Sequence, residues 1–198
     1  LRDFINWTLD TYHSDHYFLD LWDHGGQWLG VCWDDSDGGD HINMSELRDV
    51  LKGVNTDHSG FIFDVIGFDA CLMAAAEVCY QLEGYTHYAV FSEMVEPGYG
   101  WNYGILDTIR SNPEISPEDL CIALIDDFVA SYEPGGEYYV TDTTLSAVCL
   151  DYLSSFNATF NAFIDEIVAN YTEYQNYIEV ASWVSERCGL SYEFIDVF

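Results

Sequence analysis

The chain has 198 residues, 49% hydrophobic and 17% aromatic, with 35 acidic side chains against 5 basic ones and a formal net charge of -30. Such a surface repels phosphate backbones and anionic bilayers, so nucleic acid and membranes are excluded as expected partners, and no apolar run reaches the length that spans a bilayer. The apolar content suffices for one sizeable core, and no Pro/Gly/Ser-rich linker divides the chain, so a single domain over residues 1–198 is expected, as a segment of a longer protein.

Residues 2–12 carry Phe4, Ile5, Leu9 and Tyr12 at helical spacing, which predicts a helix with one apolar face. His13 and His16 follow and read as a solvated helix end. Residues 17–22 form an apolar strand that ends in Asp23, His24, Gly25 and Gly26. Residues 29–43, rich in Gly and Asp, are expected to be a loop. Its carboxylates make calcium a candidate ligand, but in an EF-hand frame started at Asp35 the glycine required at the sixth place is Asp40. A helix over residues 45–54 is expected next, capped by Ser45, with Leu47, Val50, Leu51 and Val54 facing inward.

Residues 61–66 are β-branched and aromatic, bounded by Ser59-Gly60 and Gly67, and read as a core strand; residues 72–82 are Ala-rich and read as a helix. Cys71 lies at the junction. A thiol just before a helix feels the positive end of its dipole, which favours the thiolate, so Cys71 is a candidate nucleophile, with a buried structural cysteine as the alternative. His24 ends its strand as Cys71 ends its own. If the two strands are parallel neighbours, both side chains come to one crevice at the carboxyl end of the sheet, where a proton donor can meet a thiol. The N–H groups of Gly25 and Cys71 are candidate oxyanion donors. Asp69 has two readings from the residues alone: the acidic floor of a pocket for a basic side chain, or a helix N-cap.

Further along, residues 87–92 form a third strand candidate, and residues 97–101 a turn-rich loop in which Trp101, with Tyr103, either lines a pocket or plugs the core. Residues 105–110 and 117–132 are expected helices, the second capped by Ser116; residues 138–148 are strand-like, and residues 151–187 helical with a break near Asn170. The six cysteines contain no C-x-x-C pair, so neither a structural zinc site nor a disulfide framework is expected.

Three motifs taken together carry a family resemblance: Leu21-Trp22-Asp23-His24-Gly25-Gly26-Gln27-Trp28, Phe68-Asp69-Ala70-Cys71-Leu72-Met73, and Ser92-Glu93-Met94-Val95-Glu96-Pro97-Gly98-Tyr99-Gly100-Trp101. In order and spacing the chain resembles the clostripain family of cysteine peptidases from its start to about residue 169, Gln27 standing where relatives often have Gly. The resemblance implies a caspase-like α/β fold, with a mostly parallel central sheet flanked by helices and a further strand ahead of Leu1. It also implies endopeptidase activity with Arg or Lys before the scissile bond, His24 and Cys71 as the catalytic pair, and Asp69 in the substrate pocket. No cofactor is required on this reading, and the partners are peptide or protein substrates in an extracellular or cell-surface setting. The competing class is a non-catalytic, peptidase-like binding module that works through an acidic, calcium-binding surface.

Overall fold

The computed structural model describes residues 1–140 and 143–185, together with the backbone of residues 187–188 and 194–195. The chain divides into two compact units, Leu1–Asp151 and Tyr152–Phe198. In the first, the elements in chain order are α1 (Arg2–Thr11), β1 (Phe18–Trp22), β2 (Val31–Asp34), β3 (Asp40–Ile42), α2 (Met44–Asp57), β4 (Phe63–Asp69), α3 (Ala76–Leu82), β5 (Thr86–Phe91), α4 (Ile105–Ser111), α5 (Pro117–Tyr132) and β6 (Ser146–Cys149).

The central sheet has the order β1-β4-β5-β6; β4 runs parallel to both its neighbours, and β6 pairs antiparallel with β5. Covered on both faces, β4 needs apolar residues at successive positions, and Val65, Ile66 and Phe68 are all fully buried. Alternation along the strand turns Val65, Gly67 and Asp69 to one face and Ile66 and Phe68 to the other. On the first face, Val65 and Val90 pack with Leu120, Leu124 and Phe128 of α5 and with Trp101. A Cβ on Gly67 would lie 2.9 Å from both the Trp101 and the Phe18 rings, so the glycine is what lets the indole lie flat on the strand. The other helices pack in sequence, α1 on α2 and α2 on α3. In α1 only Ile5 and Leu9 are buried, while Phe4 and Tyr12 of the expected apolar face stand exposed.

Four expectations are corrected. Residues 29–43 are not a loop but contain the antiparallel hairpin of β2 and β3, in which Trp33 stacks on His41 at 4.4 Å. The cap of α2 is Asn43 rather than Ser45: its side chain accepts from Glu46 N–H while the Glu46 carboxylate accepts from Asn43 N–H, a reciprocal capping box. The helix expected from residue 72 starts only at Ala76, because Leu72 N–H donates to Met94 O and Ala74 N–H to Ser92 O, tying residues 72–74 to the chain after β5 instead of to a helix. Of the strand expected over 138–148, only Ser146–Cys149 pairs with the sheet, and residues 141–142 lie outside those described. The α5 helix and its Ser116 cap stand as expected.

The second unit contains α6 (Leu153–Ala169) and α7 (Tyr171–Val184), separated at Asn170, and a short pair of strands, β7 (Arg187–Cys188) and β8 (Phe194–Ile195). Helical spacing continued to residue 187 in the sequence, but α7 stops at Val184.

The capping geometry yields a contrast. Asn43→Ala should lower unfolding free energy by about 1 kcal/mol in chemical denaturation, whereas Ser45→Ala, at an exposed position, should change it by less than about 0.5 kcal/mol.

Candidate active site

The site is set by strand register. In the parallel pair β1/β4, Phe18 lies opposite Val65 and Trp22 opposite Asp69, and His24 and Cys71 each follow two residues later. Equal offsets from a matched pair bring both to the same end of adjacent strands. The segment bearing His24 is held on both sides: Asp23 N–H donates to Asp69 O at 3.3 Å, and Cys32 N–H, from β2, donates to His24 O at 2.9 Å. The imidazole is exposed and the Cys71 side chain half-buried. Gly25 lies so close to Cys71 that a Cβ there would come within 2.2 Å of the Cys71 carbonyl oxygen and 3.0 Å of Met73.

Cys71 occupies a tight turn rather than a helix start. The next residue, Leu72, is held in the left-handed region at φ 67, a conformation that costs a non-glycine residue on the order of 1 kcal/mol. The bond from Leu72 N–H to Met94 O and the burial of its side chain hold it there. With α3 starting only at Ala76, the expected help from a helix dipole is absent, and burial pushes the Cys71 thiol up from its ordinary value. Partly opposing this, Glu96 N–H donates to Cys71 Sγ at 3.3 Å, while Sγ lies 3.7 Å from Glu96 O.

Asp69 is 3% exposed and caps no helix. Its Oδ2 accepts from Trp101 N–H at 3.0 Å and from the Tyr103 hydroxyl at 2.9 Å, and Gly100, at φ 66, passes so close that a Cβ would lie 2.7 Å from the carboxylate. The Tyr103 oxygen also lies 2.8 Å from Asp20 Oδ2. A phenol has one hydrogen, so two carboxylates at this range compete for it. Burial pushes the Asp20 carboxyl up from its ordinary value, while the Tyr103 hydroxyl opposes that shift. Glu96 completes the group: it is 8% exposed, and burial, reinforced by the nearby Asp69 charge, pushes its carboxyl up to about 9. Neither Glu96 oxygen makes a well-formed hydrogen bond, nor does the buried Trp101 indole N–H, although that N–H and the Asp69 carboxyl lie close enough to act on Glu96. The contacts Arg2–Asp57, His16–Asp64, His87–Asp151 and Arg110–Asp107 join basic and acidic side chains elsewhere among the described residues, and none of these reaches the three carboxyls.

Of the residues singled out in the sequence, His24, Gly25, Cys71 and Asp69 therefore converge on the ends of β1 and β4. Trp101 contributes its backbone N–H to Asp69, while its ring, 4% exposed, belongs to the core. Sequence reasoning did not single out Asp20 and Glu96. The signal for Asp20 was a carboxylate in the middle of an apolar strand; for Glu96 it was an acid just before Pro97-Gly98, inside a motif already quoted. Among the described residues no group of three or more His, Cys, Asp or Glu side chains could hold a metal ion.

Known proteins resemble the chain in sequence and in fold. The profile of the clostripain family matches residues 1–193. Clostripain of Hathewaya histolytica is 32% identical over 139 residues, 60% of this chain and 25% of that protein. A secreted C11 cysteine protease of Bacteroides thetaiotaomicron, solved with an irreversible peptide inhibitor, superposes with a TM-score of 0.64 at 21% identity, over 79% of this chain and 46% of that one. An inactive zymogen C11 protease of Parabacteroides distasonis superposes with a TM-score of 0.58 at 26% identity, over 79% and 40%. The chain thus spans about a quarter of the curated relative and less than half of these solved structures.

Gly25→Ala should force the strand ends apart, costing about 1–3 kcal/mol and changing the alkylation rate of Cys71 by iodoacetamide. An unaltered melting temperature and thiol reactivity would show that the two segments are not in close contact.

Proposed function

Since the chain belongs to the clostripain family of cysteine peptidases, we propose that it is the peptidase core of a cysteine endopeptidase that cuts after Arg or Lys by a Cys71–His24 mechanism. The observation that carries this reading is the shared register of β1 and β4, which sets His24 and Cys71 at one sheet end beside a buried, unpaired acidic group. Cys71 Sγ attacks the scissile carbonyl carbon, His24 takes up the thiol proton and delivers it to the leaving amine, and the N–H groups of Cys71 and Gly25 hold the oxyanion. Water then releases the acyl group. With the thiol pushed up by burial, removal of its proton by His24 on substrate binding carries more of the activation than a standing thiolate would.

Asp69 receives the basic side chain. Its two donors, Trp101 N–H and Tyr103 O–H, orient one oxygen and satisfy it in a buried place. Trp101 serves substrate binding through that backbone donor. Both compact units belong on this reading to one peptidase domain of a longer protein. No cofactor enters the steps above. Calcium remains a reading of the turn between β2 and β3, where the Asp34 side chain is instead engaged by Ser36 N–H and hydroxyl. An extracellular or cell-surface setting is supported by the secreted relative from Bacteroides thetaiotaomicron.

Cys71→Ala in the full-length protein should abolish hydrolysis of Arg-containing peptides without lowering the melting temperature, and His24→Ala should slow it by about 100-fold or more. Turnover that survives the Cys71 change sinks the assignment. Asp69→Asn should reduce kcat/KM for cleavage after Arg by about tenfold or more, as removal of a charge-assisted pair worth about 1.5–3 kcal/mol requires. A uniform loss on every peptide would instead mark Asp69 as purely structural.

A further inference from the structure

We propose that Glu96 is a second specificity carboxyl, which together with Asp69 takes one cationic substrate side chain between two acids. The proposal rests on the peptidase reading above and deepens it. A buried carboxyl in a folded protein is ordinarily paired, because an unmet acceptor forfeits its hydration without return. Glu96 is 8% exposed, and neither of its oxygens makes a well-formed hydrogen bond; the Trp101 indole N–H and the Asp69 carboxyl are near enough to act on it but leave it acceptor capacity. Its location explains why the fold tolerates this. The residue's own backbone brackets the nucleophile, with its N–H 3.3 Å from Cys71 Sγ and its carbonyl oxygen 3.7 Å away. The side chain is therefore rooted where a substrate residue enters next to the scissile bond, close enough to Asp69 for the Asp69 charge to act on it.

Asp69 already accepts two hydrogen bonds at Oδ2. A guanidinium offers five N–H donors in a fixed fork, more than one partly engaged carboxylate can accept, and Glu96 supplies two further acceptors. A lysine ammonium, with three donors at a point, draws less from a second acid. Glu96 should thus matter more for Arg than for Lys.

A proton balance follows. The groups facing Glu96 are Asp69 on β4, Asp20 on β1, Trp101 on the loop after β5, Tyr132 on α5, and the Cys71 thiol. Free Glu96 keeps its proton at neutral pH, since its carboxyl sits at about 9. A bound cation favours the carboxylate, so the O–H bond of Glu96 breaks, the proton passes to solvent, and the pocket gains the negative charge that faces the cation. Affinity for a cation should consequently rise with pH and level off near 9, where free Glu96 ionises unaided.

The test uses the full-length protein and two readouts. In the Cys71→Ala background, which removes the thiol's own titration, benzamidine binding is measured by calorimetry in buffers of different ionisation enthalpy at pH 7.5. Release of about one proton per benzamidine is expected, and none when Glu96→Gln is added. With Cys71 present, Glu96→Gln should lower kcat/KM for Arg peptides by about tenfold or more and shrink the Arg-to-Lys preference. The change is isosteric and neutral, so the melting temperature at pH 7.5 should not fall. Binding without proton release, together with unchanged Arg turnover in Glu96→Gln and a large loss in Asp69→Asn, overturns the role of Glu96 and leaves the peptidase reading intact. Failure of the Cys71-containing protein to cleave after Arg or Lys, with no benzamidine binding, removes both.

Discussion

The pairing of Trp22 with Asp69 is the constraint on which the site depends. A one-residue slip of β1 against β4 would invert the faces of every side chain on the slipped strand and separate the two strand ends by about 3 Å. What resists the slip is burial: Leu19 and Leu21 on β1 and the continuous apolar run of β4 are placed inside only in this register. The relative placement of His24 and Cys71 is thus secured by hydrophobic packing away from both side chains. Cys71 and His24 need no direct bond to each other to be brought together.

The second layer of organisation comes from the chain after β5. Ser92 is fully buried and shares a hydrogen bond with Thr144, and the backbone from Ser92 to Met94 accepts from Ala74 and Leu72. The same segment then brings Glu96 to the thiol, Gly100 and Trp101 over Asp69, and the Tyr103 hydroxyl between Asp69 and Asp20. Cys71 and Asp69 are therefore both positioned by one loop. That loop is anchored in turn by the Trp101 ring on Gly67 and by the Tyr132 hydroxyl donating to Gly100 O. A change in Tyr132, far along the sequence in α5, is mechanically coupled to the floor of the pocket.

Much of this was legible in the sequence, and the reasons for the failures are specific. Strand β4 announced itself because a parallel strand covered on both faces is apolar at successive positions, β1 by its alternating apolar Leu19 and Leu21, and α5 because Ser116 and Pro117 mark its start. The convergence of His24 and Cys71 followed from two matching strand ends. The start of α3 did not follow, since Ala74 and Ala75 favour a helix locally and only the long-range bonds to residues 92–94 override them. The hairpin of β2 and β3 was hidden for a similar reason: its pairing closes through Val31 opposite Ile42 and the Trp33–His41 stack, neither of which composition reveals. The buried state of Glu96 was unreadable because an acid beside Pro-Gly is ordinarily a solvated turn residue, and only the folding of its loop onto Cys71 makes it otherwise.

That distinction bears on what the formal charge of -30 means. The sequence offered two readings of the acidic surplus: hydration of the surface, or attraction of cationic peptides. Among the described residues Asp69 and Glu96 are the only fully buried carboxyls, and neither is paired with a cation; the remaining acids stand at partly or fully exposed positions. Exposed charges more than about 8 Å apart are largely screened at physiological ionic strength, so the surface surplus acts on solubility and on the rate of encounter. Buried carboxyls escape that screening, and their interaction with a cation is correspondingly stronger per charge. The two readings therefore belong to different populations of acids: the many exposed ones set how the protein meets water, and the few buried beside Cys71 are those that the proposed function assigns to holding a basic side chain.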